Sequence, residues 1–123
     1  MKKLIFHILN VIFIILYVYP GSILGFLLYK NYNQQPQITL DFIVSSNHVY
    51  AFIILSIFGF ISYYRTNKLL IISYLLSISI FLEALHLVIP NRSFEFSDLF
   101  GNILGVIVGM VLFTLFRKLN ENG

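Results

Sequence analysis

Residues 83–109 read Glu83-Ala-Leu-His86-Leu-Val-Ile-Pro90-Asn-Arg92-Ser-Phe-Glu-Phe-Ser97-Asp98-Leu-Phe-Gly-Asn102-Ile-Leu-Gly105-Val-Ile-Val-Gly109. An acid and a histidine sit inside an apolar run. A short loop with proline and arginine follows. An Asp-x-x-x-Asn-x-x-Gly-x-x-x-Gly stripe then opens a second apolar run. Two apolar runs joined by so short a loop predict neighbouring antiparallel helices. Ionisable side chains inside a membrane helix are costly and mark functional sites by default.

The rest of the chain agrees with that setting. It has 123 residues, 59% hydrophobic and 11% charged, with mean hydropathy +0.88. Soluble domains carry about 25% charged residues, so this composition reads as an integral membrane protein. Four apolar segments stand out, at about residues 4–28, 49–64, 69–89 and 99–116. A helix crosses the hydrocarbon core with roughly 17–25 apolar residues. The expectation is an all-α, polytopic, four-transmembrane-helix bundle forming one domain over residues 1–123. The first run is too long for a signal-peptide core and lacks an Ala-x-Ala-like site, so it is expected to stay in the chain.

Charge sets the expected orientation. Lys2, Lys3, Arg65, Lys68, Arg117 and Lys118 fall on one side of the segments, with Glu121. Lys30, Arg92, Asp41, Glu95 and Asp98 fall on the other. The positive-inside rule then places both termini and the Arg65–Lys68 turn in the cytoplasm, N-in and C-in. The basic residues stand in pairs at segment ends, which is no signal for nucleic acid. Cysteine is absent, which removes disulfides and thiolate chemistry. The polar 31–37 loop reads as a solvated connector.

Helical spacing gathers the polar residues. Ser79, Glu83, His86 and Pro90 share one face of the third segment, and Asp98, Asn102, Gly105 and Gly109 share one face of the fourth. The simplest packing turns these stripes towards each other, with Gly105 and Gly109 letting the backbones approach. Glu83 would lie about 10 Å below the helix end if the helix ran on to Pro90, at 1.5 Å per residue. His48, at the start of the second segment, shares that membrane level.

Three readings of Glu83 and His86 stand side by side. They are interhelical hydrogen-bonding groups, part of a headgroup or substrate site, or ligands of a metal with His48 or Asp98. One Glu-x-x-His copy is a weak metal signal, so no metal and no cofactor is expected. Ser97 and Asp98 either cap the fourth helix or join the site. Asn102 bonds between helices or contacts substrate. Arg92 either snorkels or binds phosphate, for which its planar fork is well shaped. His7 and Lys30 read as interfacial residues.

His48, Glu83, Pro90, Arg92, Ser97–Asp98, Asn102, Gly105 and Gly109 resemble the pattern of the VanZ-like family over about residues 41–116. Those small membrane proteins are named for a teicoplanin-resistance protein. The order and spacing of several parts make the resemblance more specific than any one motif. His86 stands where the family usually has Gln, which adds a titratable group. Ser46-Asn47 stands where Asp-Lys is frequent, which removes a cation. The resemblance implies a multi-pass protein of the bacterial cell membrane, linked in some members to reduced teicoplanin susceptibility.

The leading functional expectation is recognition of a membrane lipid or lipid-linked envelope precursor. Arg92 would hold its anion, and His48, Glu83, His86, Asp98 and Asn102 would line the pocket. A second is a hydrolase or transferase acting on a lipid-linked substrate, with Glu83 or His48 as general base. No nucleophile motif accompanies it. A third is a non-catalytic helper whose polar stripe binds a partner membrane protein.

Overall fold

A computed structural model describes all residues from Met1 to Gly123. The fold is all-α, with α1 (Lys2–Val18), α2 (Ile23–Tyr29), α3 (Ser46–Leu85) and α4 (Phe96–Asn122). Helices α3 and α4 are each long and apolar enough to cross a membrane. Helices α1 and α2 meet that standard only together, and they are bent by 85°.

That bend divides the apolar segment expected to run unbroken over 4–28. The cause is local. Tyr19 precedes Pro20 and is extended (φ −64°, ψ 133°), the conformation forced on a residue before proline. Gly21 then takes φ +145°, which favours glycine. Ser22 restarts the helix by accepting the Gly25 N–H at 2.8 Å. Helix α2 ends at Lys30, which is left-handed (φ 55°). It lies against the polar loop, where Phe26 stacks on Tyr32 with ring centroids 4.3 Å apart.

The second and third segments make up the two limbs of α3, which is broken at Asn67 (φ −156°, ψ 88°). The Asn67 side chain accepts the Leu70 N–H at 3.0 Å and so starts the second limb. The limbs fold back on one another. A Cβ placed on Gly59 in the first limb would meet Ile71 and Leu75 of the second at 3.2 and 3.4 Å. The second limb stops at Leu85, short of the expected Ile89. Residues 87–91 turn, and Asn91 is left-handed (φ 60°). Glu83 therefore lies in the last helical turn, so its expected depth of two turns is corrected. Helix α4 is longer than the expected 99–116 at both ends.

The core is Phe6, Tyr17, Phe52, Leu55, Phe60, Ile71, Leu75, Leu82 and Val106. Large apolar side chains such as Ile8, Val11, Leu69, Leu70 and Phe116 stay exposed around it, as a lipid-facing surface requires. At one end, Lys3 lies over the Tyr63 ring, and Lys68 and Arg117 over Tyr64, at 4.9–5.2 Å. His7 Nε2 bonds the Tyr63 hydroxyl there at 2.7 Å. The polar residues singled out above collect at the opposite end.

Candidate functional site: a polar cluster where four helical segments meet

His48 is the third residue of α3, and Asp98 the third residue of α4. Helix α4 starts at Phe96 without a side-chain cap, so Asp98 is not the capping residue considered from the sequence. It sits in the first turn, where the helix dipole favours a carboxylate. The start of α3 is fixed from upstream: Asp41 Oδ1 accepts the Ser46 N–H at 2.9 Å and the Ser46 hydroxyl at 3.2 Å. Those donors, the backbone N–H above all, hold the Asp41 carboxyl below its ordinary value.

Asn102 is the hub. It is wholly buried. Its Nδ2 donates to the Ser79 carbonyl at 3.0 Å, which turns Oδ1 towards the other side. There Oδ1 accepts the Tyr17 hydroxyl at 2.9 Å and meets His48 Nδ1 at 2.8 Å. One amide thus joins α1, both limbs of α3, and α4. His48 Nε2 faces Asp98 Oδ2 at 3.4 Å.

Glu83 and His86 form the deeper half. Glu83 is wholly buried, and His86 is 4% exposed. Glu83 Oε1 accepts the Glu95 N–H at 3.0 Å. Oε2 is 3.2 Å from His86 Nδ1, an ion-pair distance. His86 Nε2 donates to the Tyr17 carbonyl at 2.9 Å, and its ring stacks on Tyr17 at 6.0 Å. Donor atoms of His48, Glu83 and Asp98 all lie within 4.8 Å of one another. If α3 were one straight rod, His48 and Glu83 would be about 50 Å apart. The break at Asn67 creates this cluster.

Arg92 points away from the cluster, onto the end of α1. Its Nε donates to the Tyr19 carbonyl at 3.1 Å, and its Nη2 donates to Leu16 and Gly21 carbonyls at 2.9 and 2.7 Å. The Leu16 carbonyl is one of those that a helix C-terminus leaves free, and Tyr19 and Gly21 belong to the turn that follows α1. Partial burial pulls the guanidinium below its ordinary value. Only Nη1 makes no bond within the chain.

The glycine stripe packs on the first limb of α3, not on the third segment as the simplest packing expected. A Cβ on Gly105 would lie 2.6 Å from both Phe52 Cβ and the Val49 carbonyl, and one on Gly109 would lie 2.7 Å from Ser56 Cβ. Gly101, one turn earlier, meets the Ser45 carbonyl at 2.8 Å in the same way. Its place in the i, i+4 series was a usable signal. Tyr17 carried none. It is one tyrosine in an apolar run, and only the tertiary fold turns it inwards.

A cavity of about 720 Å³ opens beside the cluster. Tyr17, His48, His86, Arg92 and Asp98 line it, together with apolar side chains such as Leu24, Leu28 and Ile54.

Comparison with curated proteins and with solved structures finds no match. A family model described as VanZ/LLP1 matches residues 4–117, so the fit includes Tyr17 and the bent first segment as well as the motif region. This all-α membrane protein belongs to the VanZ/LLP1 family.

Proposed function

We propose that this chain crosses the bacterial cell membrane four times, N-in and C-in, and binds the polar headgroup of an envelope lipid or lipid-linked precursor at the outer leaflet. The observation that carries the reading is the cavity. Hydroxyl, imidazole, carboxylate and guanidinium groups line it together with apolar side chains, of which Leu28 is 65% and Ile54 45% accessible. That mixed lining suits an amphiphile. The grouping of Lys3, Lys68 and Arg117 at the opposite end supports the orientation.

Arg92 contributes positive charge at the cavity wall, and Nη1 is left for an anion. Three of the cavity's own side chains, Asp41, Glu95 and Asp98, are acidic, so phosphate binding by Arg92 alone meets opposition. Hydroxyl- or amine-rich headgroups meet none. An effect on teicoplanin susceptibility would follow where such binding changes access to the drug's target.

A second reading, chemistry on the bound group, is favoured by the adjacency of His48 and Asp98 at the cavity. His48 would be the general base. Thermal shifts with phospholipids and lipid-linked precursors test the first reading, and turnover of the same panel tests the second. A stabilising shift in wild type, lost in a folded Asp98→Asn variant, is expected. No shift with any amphiphile would sink the headgroup reading.

A further inference from the structure

His48 has one nitrogen committed. Asn102 Oδ1 can only accept, so His48 Nδ1 carries the proton in that 2.8 Å bond. In the neutral ring, Nε2 is then a bare lone pair. It faces Asp98 Oδ2 at 3.4 Å, with a Glu83 donor atom inside the same 4.8 Å group. A lone pair and two carboxylates that converge in this way can share one cation. Glu83 adds a buried carboxylate whose Oε2 has no hydrogen-bond partner and is met by His86 Nδ1 at 3.2 Å.

We propose that His48 Nε2, Glu83 and Asp98 ligate one divalent transition-metal ion, of the class that takes an imidazole with two carboxylates, as zinc does. Ligand bonds of about 2.0–2.1 Å in a tetrahedron put neighbouring ligand atoms about 3.4 Å apart. The His48–Asp98 separation already has that value. The Glu83 atom lies within 4.8 Å of the other two and would move inwards on binding. The surrounding shell is of the kind that fixes metal ligands: Asn102 orients the imidazole through Nδ1, and the Glu95 N–H holds Glu83 Oε1. Three protein ligands leave a fourth position, and His48 and Asp98 both line the cavity.

The ligand assignment stands on this geometry alone. Its consequence rests on the headgroup reading: two added positive charges would turn an acidic cavity into one that accepts a phosphate.

The test uses tag-free, detergent-purified full chain, dialysed against zinc and then freed of excess ion. Elemental analysis should find close to one zinc per chain. His48→Ala and Asp98→Asn should each weaken binding by at least about tenfold, the scale on which even outer-shell partners act. His7→Ala, at the far end of the bundle, should not change it. If His48→Ala or Asp98→Asn does not fold, cobalt loaded into wild type decides, because a tetrahedral visible spectrum supports the site and that of aqueous cobalt overturns it. Zinc well below one per chain, or binding unaffected by both variants, also overturns it. Zinc bound without any lipid response keeps the metal site and removes the headgroup reading. A lipid response in zinc-free protein that cannot be loaded does the reverse.

Discussion

Replacing Asn102 by alanine should loosen the whole bundle, and the structure sets the size of the effect. The substitution strips three partners: the Tyr17 hydroxyl, His48 Nδ1 and the Ser79 carbonyl. Leaving a buried polar group unpaired costs about 1–3 kcal/mol. The Tyr17 hydroxyl and His48 Nδ1 are 3.2 Å apart and can bond each other, which offsets part of the loss. The net destabilisation should be about 1–3 kcal/mol. For a chain of this size that lowers the midpoint of thermal unfolding in detergent by about 4–12 °C. A cycle with Tyr17→Phe sharpens the test. The hydroxyl acts through Asn102, so the double variant should lose less than the two single variants summed, by about 0.5–3 kcal/mol. Additive losses, or an unchanged melting point for Asn102→Ala, would refute the hub.

Gly105→Ala puts a methyl group 2.6 Å from the Val49 carbonyl, a backbone atom that cannot step aside. Overpacking of that kind costs about 1–3 kcal/mol, read as a lower melting point, whereas Gly123→Ala should be silent. Arg92→Lys replaces a fork on three carbonyls by a single ammonium. Hydrogen exchange should rise over residues 16–22, while the far end near Tyr63 stays protected. Asp41 gives an acid-side dependence. Its folded pKa is lowered, so its stabilisation is complete above the unfolded value, about 3.9, and fades as pH falls from there through the folded value. Stability scanned across that range should lose this component in Asp41→Asn, whose amide oxygen can still accept the Ser46 N–H.

Composition and spacing made the class and the faces legible. Ser79, Glu83, Asp98 and Asn102 lie on helices as the spacing assigns them, whereas the helix ends before His86 and Pro90. The turn at Asn67 was legible too, since Arg65-Thr66-Asn67-Lys68 interrupts two apolar runs and Asn67 can start a helix. Periodicity shows which residues share a face but not which neighbour that face meets. For that reason the glycine stripe could be seen while its partner, the limb carrying Val49, Phe52 and Ser56, could not. Pro20-Gly21-Ser22 is a local breaker inside an otherwise continuous apolar run, and hydropathy alone passes over it. Arg92 reads as a free cation in a loop. Its commitment to Leu16, Tyr19 and Gly21 depends on contacts more than 70 positions away in sequence.

The claim that the polar end is a ligand site, and more than glue between helices, is tested most directly by native mass spectrometry. Wild type and Asp98→Asn would be purified side by side from the same membranes, each shown to be folded. One retained amphiphile per wild-type chain, absent from Asp98→Asn, is the expected result. Equal retention by both, or none by either, would contradict the account.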